Sequence, residues 1–256
     1  MTNFNFPGRT NIKSKLYELV RLAFRLVGFD VVKHGDRRNG LERLALAREL
    51  GFQPQRILDG GAFRGLWSLS VAKLYPDAEY VLVEPNPILQ ETIAENMREL
   101  KSTVVNVALG KTKEKATFNI WQDPDTDTSA SLLGHVSGPA KHAIEVNVDT
   151  LDNVCERLAF KPDLVKLDLQ GGELAALQGA RKVLQSAEFA IIEFGVLEAY
   201  VGRSSPREIL DIMYDNDFFL YDVVDFVNRP YDDALCSGDF FFVKKSSPLR
   251  AYKAYI

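Results

Sequence analysis

Three acidic residues each close a short, largely apolar run: Asp59 after Ile57-Leu58, Glu84 after Val81-Leu82-Val83, and Asp168 after Leu164-Val165-Lys166-Leu167. Gly60, Gly61 and Gly65 follow the first, Gly171 and Gly172 follow the third, and residues at helical spacing come next in both cases. Strand, acid, glycine turn and helix is the unit that places a ligand beyond the carboxyl end of a parallel strand. A carboxylate ending the second strand accepts from both hydroxyls of a ribose, which makes Glu84 the ribose candidate. Gly61 lets the backbone approach the ligand, and Gly65 lets the helix pack on the strand. The expected chemistry is recognition of a nucleoside cofactor. Its candidate contacts are Asp59, Gly61, Ala62, Gly65, Glu84, Asn86, Asn106, Val107 and Asp168.

The glycine spacing narrows the nucleoside. Dinucleotide sites use G-x-G-x-x-G to bring a pyrophosphate onto an open helix N-terminus. Here the order is Asp59-x-Gly61-x-x-x-Gly65. With an acid ending the next strand, this resembles the first two motifs of S-adenosylmethionine (SAM) methyltransferases, whose cofactor carries no phosphate. An NAD-dependent oxidoreductase is therefore a weaker alternative, and a binding protein that keeps a methyltransferase fold without turnover is the other.

Methyl transfer to an alcohol needs a group within hydrogen-bond reach to take the hydroxyl proton. The candidates are Asp168, Glu173, Glu193, His135 and His142. His135 has the side-chain type whose ordinary pKa lies nearest neutrality. Asp168, Glu173 and Glu193 also have the oxygen chemistry to hold a divalent cation, but their spacing does not require one, and no metal is assigned.

The elements that must position these residues alternate between strand and helix from Ile57 onward, which predicts a parallel sheet covered on both faces. Leu41 to Leu50 reads as a helix stopped by Gly51 and Pro54, and Asn86-Pro87 as the cap and first turn of a helix running to about Leu100. Val104 to Gly110 reads as the third strand with its turn, its end beside the adenine. Ala116 to Trp121 and Ile144 to Val148 read as strands flanking a polar loop, Gln122 to Ser131, so residues 111–150 form an inserted flap where the acceptor is expected. Ser205-Pro206-Arg207-Glu208 has capping-box spacing and starts a helix to about Asn216. Phe218–Val224 and Asp239–Val243 then suit an antiparallel closing pair.

Composition sets the remaining bounds. With 256 residues and 46% apolar content, one large core is affordable, so a single catalytic domain over residues 51–256 is expected behind an N-terminal helical extension, residues 1–50. Within that extension Ile12, Leu16, Leu19, Val20, Ala23 and Val27 share a helical face, with Lys13, Lys15, Arg21 and Arg25 against Glu18 elsewhere. Packing on its own domain is the first reading of this helix, and contact with an anionic membrane or a partner the second. Lys33 to Gly40 reads as polar loop. A net charge of −4 gives no basic footprint for nucleic acid. Cys155 and Cys236 have neither disulfide-framework nor zinc spacing, no run reaches membrane-span length, and no signal-peptide core is present, so a cytoplasmic protein is expected.

The stretch Val165-Lys166-Leu167-Asp168-Leu169-Gln170-Gly171-Gly172-Glu173, with Leu177-Gln178-Gly179-Ala180 after it, resembles the signature of the FkbM family of SAM-dependent methyltransferases. Val148-Asp149-Thr150-Leu151-Asp152, the Ala108-Leu109-Gly110 turn, and Ile191-Ile192-Glu193 with Tyr200 are similar to that family's other steps, and the resemblance covers about residues 40–245. It implies an α/β, Rossmann-like SAM methyltransferase fold, which together with the elements read above gives a mostly parallel seven-stranded sheet, an antiparallel closing strand and a β-hairpin flap insertion. It also implies SAM as methyl donor and O-methylation of a hydroxyl on a sugar, glycan, glycolipid or polyketide-type natural product. Two positions depart from the family pattern. Phe63 stands where Asn is common, and Gln170 stands where Glu is commoner, which removes one possible charge.

Overall fold

A computed structural model of the chain describes residues 39–254, which belong to one compact unit, Arg38–Ile256. The helix expected over residues 12–27 and the loop from Lys33 to Arg38 lie outside the described residues. No helix among the described residues is long and apolar enough to cross a membrane.

Seven strands form the main sheet: β1 (Arg56–Gly60), β2 (Glu79–Val83), β3 (Ser102–Val105), β7 (Leu164–Leu167), β8 (Phe189–Gly195), β9 (Phe218–Asn228) and β10 (Leu235–Lys244). They lie in the order β3-β2-β1-β7-β8-β10-β9. β10 runs antiparallel to both of its neighbours, and the pairs from β3 across to β8 are parallel. The chain builds outward from β1 to β3 and then returns to β7 on the other side of β1. That reversal opens a crevice beyond the carboxyl ends of β1 and β7.

Alternation along the strands sends successive side chains to opposite faces. Leu58, Val81, Val83, Val165, Ala190, Ile192, Phe240 and Phe242 enter one core cluster, shared with α4 (Leu151–Arg157), α5 (Glu173–Gln178), α6 (Arg181–Ser186) and α7 (Pro206–Asp215). Ile57, Tyr80, Leu82, Leu164, Phe189, Ile191, Phe241 and Val243 enter the other, covered by α1 (Gly40–Glu49), α2 (Leu66–Val71) and α3 (Gln90–Asn96). Although α1 falls within the expected N-terminal extension, it buries Leu44 and Ala47 in this second cluster.

Local signals account for the helix ends. The Asn39 side chain accepts from the amides of Leu41 and Glu42 at the start of α1, and Gly51 follows its end at φ 100°. Asn86 caps a 3-10 turn, Pro87–Leu89, that runs into α3. Ser205 and Glu208 form the reciprocal capping box of α7. Thr150 caps α4, a helix the sequence reading did not assign.

The expected third strand is divided. β3 ends at Val105, Asn106 and Val107 turn, and Ala108–Leu109 forms β4 in a separate three-stranded sheet. The Asn106 side chain braces the break, its Nδ2 donating to the carbonyls of Glu84 and Pro85 at 2.9 and 3.0 Å. In the small sheet β4 runs parallel to β6 (His142–Asp149), which pairs antiparallel with β5 (Glu114–Ile120). Residues 121–141, between β5 and β6, form the flap.

Candidate active site

The turn after β1 is closed on itself. The amides of Gly61 and Ala62 both donate to the Val83 carbonyl, Phe63 donates to Glu84 Oε2 at 2.9 Å, and Gly65 donates to the Ala62 carbonyl. These amides are therefore not aimed at a ligand, as a pyrophosphate cradle requires. Gly61 has φ 77°, and a β-carbon there would lie 1.9 Å from the Asp168 carbonyl oxygen. The glycine is needed because two strand ends touch at this point, a stricter constraint than approach to a ligand. Gly65, at φ 73°, starts α2, and a β-carbon there would press on Leu82.

Glu84 lies one residue beyond β2 and is 5% exposed. Oε1 accepts from the Asn86 amide and Oε2 from the Phe63 amide, both at 2.9 Å. Burial pushes its carboxyl up to about 7, against the pull of these two bonds. Each oxygen keeps a further lone pair, so the carboxylate can accept from two hydroxyls at once. Asn86 joins this end to the flap by donating to the Pro124 carbonyl at 2.6 Å.

At the other end, Asp168 Oδ2 accepts from Lys166 Nζ at 3.0 Å and Oδ1 from Gln170 Nε2 at 2.8 Å. Burial opposes the charge of Asp168, but Lys166 and Gln170 outweigh it and hold the carboxyl below its ordinary value. Burial likewise opposes the charge of Lys166, and Asp168, Asp59 and Asp239 together keep it charged. Its ammonium also lies 5.5 Å from the centre of the Trp67 ring.

Between these ends lies a cavity of about 550 Å³, within the range of small-ligand sites. Gly61, Ala62 and Phe63 form one wall, Val107 and Leu109 another, and residues 127–130 with Leu132 come from the flap. Trp67, Lys166, Asp168, Gln170 and Val227 close the far side. Within the flap, Asp127 is 3% exposed and accepts from the Trp121, Gln122 and Ser129 amides and the Ser129 hydroxyl.

The sequence candidates therefore separate. Gly61, Ala62, Glu84, Asn86, Val107 and Asp168 line the cavity. Asp59 lies beneath the wall: Oδ2 accepts from Ser68 at 2.7 Å and Oδ1 is buried without a partner. Burial raises its pKa, with Lys166 and Ser68 opposing. Asn106 braces the β2 end from outside, and Gly65 packs behind the turn.

Of the base candidates, Asp168 alone is on the wall. Glu173 is fully buried and clamps its own turn, Oε1 accepting from the amides of Leu169 and Gly171. Glu193 is tied to Arg203 at 2.8 Å, and its carboxyl is pushed up to about 9 by burial, helped by Asp168 and Glu173. His135, within the flap, bonds Ser137 through Nδ1 and packs on Trp121 and Tyr200 away from the cavity. His142 is exposed at the start of β6. The oxygen ligands weighed for a cation do not converge, and no group of three or more His, Cys, Asp or Glu among the described residues is arranged to hold a metal.

Lys166, Trp67 and Gln170 line the cavity beyond the candidates that the sequence offers, and Asp127 and Ser129 lie in the flap where the acceptor is expected. One signal was present, because Lys166 stands two residues before Asp168 on a strand and shares its sheet face.

A doubly wound sheet with a single reversed strand, carrying a ribose-type carboxylate and a glycine turn that offers no phosphate cradle, is the architecture of a Rossmann-like methyltransferase. The chain matches the Methyltransferase FkbM domain over residues 59–220 and belongs to that family; it is a SAM-dependent methyltransferase. Among curated relatives, 2-O-methyltransferase NoeI of Sinorhizobium fredii is 26% identical over 61% of this chain and 70% of its own length. Hexuronic acid methyltransferase AglP of Haloferax volcanii is 27% identical over 54% of this chain and 59% of its own length. Among solved structures, magnesium protoporphyrin IX methyltransferase from Synechocystis PCC 6803 with bound SAM aligns with a TM-score of 0.48 at 14% identity, over 93% of this chain and 86% of that one.

Proposed function

We propose that the cavity binds SAM with its ribose on Glu84, its adenine toward Val107 and its methionine end toward Asp168. The methyl group then passes to a hydroxyl oxygen of a sugar-type acceptor, a uronic acid or glycan among them, seated beside flap residues 127–132. The observation that carries this reading is Glu84: a buried carboxylate, fixed by two backbone amides, with a free lone pair on each oxygen at the cavity. The names of the NoeI and AglP relatives support oxygen as the atom methylated and a sugar as its carrier.

When bound, SAM supplies a sulfonium-activated methyl group. The chain's part is alignment and shielding, and positioning alone can contribute several kcal/mol to such a step. Glu84 and the Gly61 turn orient the nucleoside. Asp168, kept ionised by Lys166, accepts a hydrogen bond from the incoming hydroxyl and takes its proton as that oxygen gains the methyl group, and the proton passes to solvent when the product leaves. Phe118 and the flap cover the cavity and limit the entry of water.

Calorimetric titration with SAM and with NAD tests the cofactor, and labelled SAM with a panel of free sugars, hexuronates and glycans tests the acceptor. Wild type is expected to bind SAM and not NAD. Glu84→Ala should weaken SAM binding by about 2 kcal/mol, roughly 30-fold, through loss of a buried hydrogen-bond partner. Wild-type affinity in a folded Glu84→Ala variant would remove the ribose assignment.

A further inference from the structure

Gln170 joins the cavity acid to the flap. Its Nε2 donates to Asp168 Oδ1 at 2.8 Å, and its Oε1 accepts from the Tyr200 hydroxyl at 2.8 Å. The same hydroxyl lies 3.0 Å from the Ser129 carbonyl, and the Gln170 carbonyl accepts from Ser131 Oγ at 2.8 Å. Ser129 lines the cavity and Ser131 is buried in the flap beside it. Gln170 itself has φ 52° and is followed by Gly171 at φ 101°, a left-handed turn in which its side chain remains on the cavity wall.

We propose that Gln170 is a positioning residue that couples seating of flap residues 127–132 to the orientation and charge of Asp168, and that this coupling requires an amide. The proposal rests on the reading of the cavity as a SAM methyl-transfer site. Asp168 is an anion, so the group facing Oδ1 must donate. An amide donates at every pH, whereas a carboxyl donates only while protonated and repels once ionised. With Nε2 committed to Asp168, Oε1 is left as an acceptor for Tyr200. One planar group therefore reads the flap through its oxygen and fixes the acid through its nitrogen. Opening the flap removes the Ser131 bond to the Gln170 carbonyl and the packing of Trp121 and His135 that holds the Tyr200 ring, so Oε1 loses its donor and the amide is freed to rotate away from Asp168.

The charged and titratable groups around this relay are Lys166 on β7, Asp59 on β1, Glu84 beyond β2, Glu193 on β8, Asp239 on β10, Glu173 on α5, Asp127 in the flap, and Tyr200 and Arg203 after β8. All of them are present in wild type and variants alike, so the ratio of variant to wild-type affinity isolates position 170.

The test is SAM titration of wild type, Gln170→Glu and Gln170→Ala from about pH 6 to about pH 9, with hydrogen–deuterium exchange of residues 127–132 followed in parallel. The Asp168 anion raises the pKa of the introduced carboxyl, which donates at the acid end and loses that bond as pH rises. Gln170→Glu should match wild type within about 2-fold near pH 6 and weaken to at least about 10-fold near pH 9, with flap exchange rising in step. Gln170→Ala should weaken binding by a factor that does not change with pH. Tyr200→Phe, which leaves position 170 intact, should raise flap exchange and weaken SAM binding by about 5-fold. A Gln170→Glu ratio that is flat with pH, or Tyr200→Phe with wild-type flap exchange, overturns the coupling while wild-type SAM binding leaves the cofactor reading standing. Failure of the wild type to bind SAM overturns both.

Discussion

Glu84 has a buried carboxyl pushed up to about 7 and is held in place by the amides of Phe63 and Asn86. Ribose hydroxyls donate to the ionised form, so cofactor binding favours loss of its proton. Linkage then gives the sign: SAM affinity should rise as pH rises through about 7, and below it the Kd should worsen by about tenfold per pH unit while binding releases a proton. Titrations in buffers of differing ionisation enthalpy measure that proton directly. Glu84→Gln should bind weakly at every pH and release none. An affinity independent of pH in wild type would mean that Glu84 does not face the ribose.

The flap is an element without regular structure that nevertheless has a centre, Asp127. Burial works against the charge of this carboxylate, yet bonds from Ser129, Trp121 and Gln122 outweigh it and lower its pKa. Asp127→Ala removes the acceptor for all of those donors. The flap should then lose its fold while the main sheet keeps its own, because Asp127 belongs to none of the core clusters. Limited proteolysis should show faster cleavage within residues 121–141, with Tm lowered by only a few degrees, corresponding to roughly 1–2 kcal/mol. Acceptor turnover, where the acceptor is seated by this element, should fall much further than SAM affinity. Unaltered proteolysis would show that the loop is held by its ends and not by Asp127.

At the scale of the molecule, stability lies in the two apolar layers on either side of the sheet. Phe241, 1% exposed on β10, packs edge-on against Phe189 at 5.5 Å in the layer under α1, α2 and α3. β10 is the reversed strand, inserted between β8 and β9, and Phe241 anchors it in this layer. Phe241→Ala should cost about 3–5 kcal/mol in urea unfolding, by lost burial and a residual cavity. A loss below about 1 kcal/mol would place the weight of this strand on its hydrogen bonds instead.

Much of this molecule is written locally. Apolar runs ending in Asp59, Glu84 and Asp168, glycines at set distances behind two of them, and the Ser205–Glu208 capping box depend on alternation, φ and short-range bonds, which a sequence exposes directly. The same parity puts Asp59, Glu84, Lys166, Asp168, Glu193 and Asp239 on one sheet face with Ile57, Leu82, Leu164, Ile191 and Phe241. What alternation does not carry is depth. Asp59 and Glu193 share types and strand-end positions with Glu84 and Asp168, and Glu173 opens the helix after β7, yet all three became internal clamps, on Ser68, on Arg203 and on the turn after β7. Which carboxylates reach the cavity was decided by the α2 helix closing over Asp59, by the loop carrying Tyr200 and Arg203 folding beneath the turn after β7, and by the flap meeting Gln170. These are contacts between residues far apart in the chain, Gln170 with Ser131 and Glu84 with Phe63 among them. No local rule contains them, because their strength comes from burial and partner geometry that exist only once the layers have packed.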